Sequence, residues 1–172
     1  MKKLTVILVL FSFLFPQQIF SQTGSERLKA VFIYNFVKQV QWSNSENFLN
    51  FQIGVVGNSP IVEVLSQVTA GKTVYNKQII VRSFRNVSEI SNVQILYVPF
   101  SASARIDEIL LKLNNSQTLI VTERTGMIEN GACINFTIQD QKLGFEISKT
   151  NLKKHKLTAT QQLFDLALKV YD

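Results

Sequence analysis

"LKAVFIYNFVKQVQW", residues 28–42, places ten apolar side chains in fifteen and ends in Trp42, the only tryptophan of the chain. Wound at about 100° per residue, Ala30, Ile33, Tyr34, Val37 and Val40 share one side with Phe36 beside them. Asn35, Lys38 and Gln39 fall opposite. This is the pattern of an amphipathic helix with a wide apolar face. Fifteen helical residues reach about 22 Å, well short of the ~30 Å of hydrocarbon in a bilayer. The stretch is therefore expected to be a helix clamped onto a sheet, its apolar side inward.

Upstream, "MKKLTVILVLFSFLFPQQIFSQ" carries two lysines, an apolar run from Leu4 to Phe15 and a polar exit with small residues. That is the layout of a cleaved secretory leader, and Pro16, Gln17 and Gln18 stop the run before it could span a membrane. Residues 1–21 are read as a signal peptide and residues 22–172 as the exported domain. Two of the six net positive charges of the 172-residue chain belong to the leader lysines, so the remainder is only mildly basic. Lys149, Lys153, Lys154 and Lys156 gather near the C-terminal end, but no aromatic residues interleave with them. A solvated helix face accounts for them, and nucleic acid is not an expected partner. With 46% hydrophobic and 17% charged residues the composition is that of a globular chain. Cys133, the single cysteine, has no intrachain partner and lies in an alternating apolar run, as a buried, inert thiol does.

Downstream of the helix the texture alternates. "FQIGVVGNSP", residues 51–60, reads as a strand closed by Gly57 and opening into a helix, with Ser59 as cap, Pro60 at the first position and Glu63 in the first turn. Gly71 is expected to end that helix. "QIIVRSF" and "VQILYVP" read as strands, followed by a helix in which Ile106, Ile109, Leu110 and Leu113 recur, and then by the strand "TLIVTE". Strands alternating with helices predict a parallel sheet. "ACINFTIQ" and "KLGFEIS" alternate apolar and polar residues and join through Asp140 and Gln141, which predicts an antiparallel hairpin at one sheet edge. Leu163, Leu166, Ala167 and Val170 share a helical face, so a last helix is expected over 158–171. The fold class is α/β: one three-layer domain with a mostly parallel sheet flanked by helices and a C-terminal β-hairpin.

Chemistry is harder to find. "AGKT", residues 70–73, imitates the end of a phosphate-binding loop, but Ser66 stands where that motif needs glycine and a helix leads in where a strand should. Gly54 and Gly57 do not complete a dinucleotide fingerprint, although a strand-to-helix turn there could receive a small ligand. His155, in "KKHKL", reads as a surface residue. One histidine and one cysteine supply neither a zinc site nor a nucleophile–histidine pair, and no cofactor or metal is expected. Glu123, Glu129, Asp140 and Glu146 read as scattered surface acids. A binding or regulatory module is favoured over an enzyme.

The order of segments resembles the YfiR family, from Leu28 nearly to the C-terminal end. The resemblance is carried by Tyr34, Asn35, Phe36 and Trp42 in the first helix, by Gly71, Lys72 and Thr73 in the turn, and by Gly131, Ile134, Asn135 and Phe136 around the first hairpin strand. It implies a dimeric periplasmic regulator that works by contact. Such proteins hold an inner-membrane diguanylate cyclase inactive by binding its periplasmic sensor domain and are sequestered in turn by an OmpA-like outer-membrane lipoprotein. Release raises cyclic di-GMP and promotes biofilm. The receptor implied for this chain is such a cyclase or a sensor kinase; a small-molecule-binding periplasmic sensor domain is the alternative. Characterised members carry paired cysteines, whereas Cys133 stands alone, so redox switching is not implied here.

Overall fold

The computed structural model describes residues 20–172, so the expected leader lies outside the described residues except for its last two positions. The first helix, α1, spans Phe20–Gln39. Its inner side is the one the periodicity picked out: Ala30, Ile33, Phe36 and Val37 are buried, while Asn35 and Lys38 are exposed. The helix stops earlier than its hydrophobicity suggests. Val40–Trp42 form a short strand, β1, in which Val40 and Trp42 are buried and Gln41 is exposed, a period of two rather than 3.6.

The main sheet has eight strands. In chain order they are β2 (Phe51–Val56), β3 (Thr73–Val74), β4 (Lys77–Phe84), β5 (Ile95–Val98), β6 (Leu119–Thr122), β7 (Ile134–Gln139), β8 (Lys142–Ser148) and β10 (Lys169–Tyr171). In space they lie in the order β10-β8-β7-β6-β5-β2-β4-β3. The pairs from β4 through β2, β5 and β6 to β7 are all parallel, and β7 with β8 is the antiparallel hairpin. Every residue of β5 and β6 is buried, because both faces of a parallel sheet are covered, and this is why "ILYV" and "LIVT" are continuous apolar runs. A second sheet of two strands pairs β1 with β9 (Leu157–Ala159), Trp42 opposite Leu157.

Helices α2 (Ile61–Thr69), α3 (Ile106–Lys112), α4 (Lys149–Lys154) and α5 (Gln161–Leu166) complete the domain. Below α1 the core is aromatic. Phe36 stacks on Phe136 at 6.0 Å and meets Phe145 edge-on at 5.1 Å, and Phe32 approaches both rings. Each such pair contributes about 0.5–1.5 kcal/mol beyond its area.

Several expectations need correction. The helix expected over 158–171 is a strand, a short helix and a second strand: Thr160 caps α5 through the Leu163 amide, and at Ala167 the backbone turns extended (φ −74°, ψ 140°). Leu168 then donates its amide to the Phe145 carbonyl at 2.8 Å and carries the chain into β10. The hairpin is thus not the rim of the sheet, since β10 runs parallel to β8 outside it. Ser59 does not cap α2 with its side chain. Pro60 is already helical (φ −56°, ψ −24°) and occupies the cap position itself, and the Ser59 carbonyl accepts from the Val62 amide at 3.2 Å. Gly71, at φ +68°, ends α2 in the left-handed region as expected, and "AGKT" is the turn into β3. Asp140 and Gln141 (φ 50° and 61°) and Tyr75 and Asn76 (φ 51° and 59°) are two-residue left-handed turns, the geometry that matches the twist of a hairpin.

Candidate functional site

The residues that carried the resemblance divide between the core and one patch of surface. Phe36 and Phe136 are partners in the aromatic core. Trp42 packs edge-on against Phe51 with ring centres 5.0 Å apart, and its Nε1 donates to the Gln117 carbonyl at 2.9 Å. Asn135 is buried, and its Oδ1 accepts from the Thr122 hydroxyl at 2.7 Å. Gly131 takes φ +109°, where a Cβ would also lie 2.9 Å from Leu110 Cδ1. Asn151 holds that loop closed by donating from Nδ2 to the carbonyls of Ile128 and Ala132, each at 2.8 Å. No sequence signal marked Asn151. These residues are structural.

The second group meets at the surface where α1 faces the turn after α2. The Lys72 ammonium lies 3.9 Å from the centre of the Tyr34 ring and that of Lys38 lies 4.6 Å from it. Attraction to the ring quadrupole holds two cations beside one half-buried tyrosine. Gly71 and Thr73 shape the turn that presents Lys72, and Asn35 is exposed next to the ring on α1.

The carboxylates named from sequence do not assemble. Glu129 is exposed, Asp140 forms the hairpin turn, and Glu146 accepts from the Tyr171 hydroxyl at 3.3 Å. Glu123 differs from these, joining three elements: it accepts from Lys29 of α1 and, at 2.7 Å, from the Phe100 amide after β5, while standing itself at the end of β6. Lys29 also reaches Glu26 at 2.9 Å. Burial pushes the Glu123 carboxyl upward, but the Lys29 ammonium and the Phe100 amide outweigh it and hold the group below the usual carboxylate range. Beside it the Tyr97 hydroxyl is buried, and desolvation followed by the Glu123 charge raises its pKa. Among the described residues Tyr97 Oη has no hydrogen-bond partner.

His155 is not at the surface. It is buried, its Nδ1 lies 3.2 Å from the Ser116 carbonyl, and burial lowers its pKa from 6.5, so the ring is neutral at pH 7. The four lysines around it are exposed, and Lys149 pairs with Asp172 at 2.8 Å. Cys133 is fully buried and its thiol is pushed up to about 12 by desolvation. A thiol reagent is expected to label the native protein orders of magnitude more slowly than the denatured one. Equal rates in the two states would show that Cys133 is not where the fold puts it. No three histidine, cysteine or acidic side chains gather among the described residues in a way that could hold a metal. No described helix is long and apolar enough to cross a membrane. At Gly57 the turn is closed internally: its amide donates to the Phe84 carbonyl at 2.8 Å and its carbonyl accepts from the Ser83 hydroxyl at 2.7 Å.

Leu166 and Leu168, 60% and 47% exposed, lead into β10 at the rim of the sheet, and Ile138, 72% exposed, stands on β7, two strands in. Leu168 lies on Gly144, whose lack of a side chain makes room for it, and Ile138 pairs across the hairpin with Leu143. β10 is the terminal strand of the sheet among the described residues, so its outer backbone groups face an open edge.

Two solved structures share the fold. One is a conserved domain protein from Vibrio cholerae O1 biovar El Tor, with a TM-score of 0.59 and 12% identity. The other is an ABC domain in complex with L-Trp from Streptococcus pneumonia, with a TM-score of 0.57 and 12% identity. In each case 84% of this chain is matched, and the match spans only 60% of the other chain. A comparison with curated proteins returns no match. A protein-family model described as YfiR/HmsC-like matches residues 26–168, which takes in every strand of both sheets except the last, and the chain belongs to this family.

Proposed function

We propose that this protein is exported by removal of residues 1–21 and binds the periplasmic sensor domain of an inner-membrane diguanylate cyclase or sensor kinase, holding it inactive. The observation that carries the reading is the exposure of Leu166 and Leu168 beside the open edge of β10. An unpaired strand edge with exposed apolar side chains is a docking surface for another polypeptide. The family role and the dispersal of the acidic side chains support contact over catalysis. To silence a receptor the protein needs only to bind its inactive state more tightly, and a preference of about 5.5 kcal/mol moves a two-state equilibrium from one extreme to the other. The regulator is read as a homodimer, and its sequestration by an OmpA-like outer-membrane lipoprotein would release the receptor.

Leu166→Asp and Leu168→Asp, each placing a charge on the rim, are expected to abolish recovery of an inner-membrane signalling protein when the mature chain is crosslinked in envelope extracts and purified. Their circular dichroism should match that of the parent. Recovery of the same receptor by both folded variants would place the contact elsewhere; recovery of none by the parent protein would remove the reading.

A further inference from the structure

A cavity of about 400 Å³ lies at the amino-terminal ends of the parallel strands. Gln52 enters it from the start of β2, Gln94 from just before β5 and Thr118 from just before β6, and residues 44–50 form its outer wall. It is at the opposite end of the sheet from Gly57 and away from the β8–β10 rim. Seven side-chain amides line it and no charged residue does. Phe48, half-buried, adds one aromatic face.

Its polar groups are only partly paired. Gln52 Oε1 and Gln117 Oε1 are buried and have no hydrogen-bond partner among the described residues. Gln94 is 8% exposed; its Oε1 is taken by the Gln52 backbone amide at 2.6 Å, and its amide nitrogen makes no side-chain hydrogen bond among the described residues. Turning the Gln52 or Gln117 amide over exchanges an unpaired acceptor for an unpaired donor, so an unmet group remains in either orientation. Buried polar groups are almost always satisfied, and those that are not call for an explanation.

We propose that this amide-lined cavity binds a neutral, hydroxyl-rich ligand, a sugar of one or two units. A sugar hydroxyl donates and accepts at once, and so meets both the unpaired oxygens and the unpaired nitrogen. The absence of charge from the lining disfavours an anion or a cation, which would lose hydration without a counter-charge. The C–H face of a pyranose fits against the Phe48 ring, and the volume suits one or two rings. The site is independent of the partner contact proposed above.

The test is a nitrogen-15 NMR titration of the purified chain with D-glucose, D-galactose, D-mannose and N-acetyl-D-glucosamine, with D-glucuronate and glucose 6-phosphate as charged counterparts. At least one neutral sugar is expected to shift the side-chain amide signals of Gln52, Gln94 and Gln117 saturably. Gln117→Leu should weaken that binding about tenfold, the effect of losing one well-placed hydrogen bond. Asn50→Ala, on the outer wall, is the second variant and should weaken it too. Three outcomes would overturn the proposal: none of the neutral sugars moves these signals, so that water alone meets the amides; only the charged sugars bind; or a sugar binds with both variants unchanged.

Discussion

Trp42→Ala lowers stability by about 3–5 kcal/mol, the range for emptying a large aromatic from a core. In a chain of this size that is a fall of roughly 10–15 °C in melting temperature. Trp42 is 3% exposed, meets Phe51 edge-on and donates to the Gln117 carbonyl, so the substitution opens a cavity and leaves a half-buried carbonyl without its donor. It also sits in β1, whose pairing with β9 depends on the side chain that fills the space between the small sheet and β2. Trp42→Phe keeps most of the apolar volume and should lose about half as much. Urea unfolding followed by far-ultraviolet circular dichroism measures both. A Trp42→Ala midpoint equal to the parent's would mean that the ring is not part of the core.

Glu123→Gln gives the second large effect, about 2 kcal/mol at pH 7. Breaking a fully buried ion pair costs about 3–5 kcal/mol. Here the Lys29 and Glu123 side chains are 12% and 16% exposed, and water reaching them reduces the penalty. The sign of the pH dependence follows from the direction of each shift. Glu123 titrates lower in the folded chain than in the unfolded one, so its contribution is complete above the unfolded carboxyl value of 4.5 and disappears as pH falls through the folded value. Lys29 titrates higher when folded: burial opposes its charge, but Glu123 and Glu26 outweigh burial. Its contribution is complete below 10.5 and is lost as pH rises through the folded value. Glu123→Gln should therefore flatten the stability curve at both extremes while lowering its plateau. Superimposable curves for variant and parent from acid to alkaline pH would show that the pair contributes nothing.

The parallel core was legible because burial on both faces writes itself into sequence as unbroken apolar runs. β5 and β6 are of this kind, and the helix side bearing Ile33, Phe36 and Val37 was equally plain. The errors share one cause. Over short lengths a period of two and a period of 3.6 coincide, and tertiary pairing decides between them. Val40 continues the helical stripe, whereas Trp42 falls on the other side of a helix and fits only the strand period that pairing with β9 establishes. Leu163, Leu166, Ala167 and Val170 also lie on a helical stripe, yet only Leu163 is fully buried. The chain leaves the helix at Ala167 because β8 offers Leu168 and its successors an open ladder. His155 was misplaced by its lysine neighbours, whose side chains point away from the one that is buried. The amide cavity could not be seen at all. Gln52, Gln94 and Gln117 lie in three unrelated stretches, and asparagine and glutamine in connecting segments ordinarily mean only turns.

The pairing of β1 with β9 joins Gln41 to Thr158, a separation of 117 residues. A contact of that span cannot form while intervening chain is still being supplied, and closing so long a loop has an entropic cost that only later packing offsets. Nearly all the polypeptide must therefore be delivered before the small sheet closes over Trp42. A chain emerging from its N-terminal end would close this small sheet only once residues 157–159 had emerged.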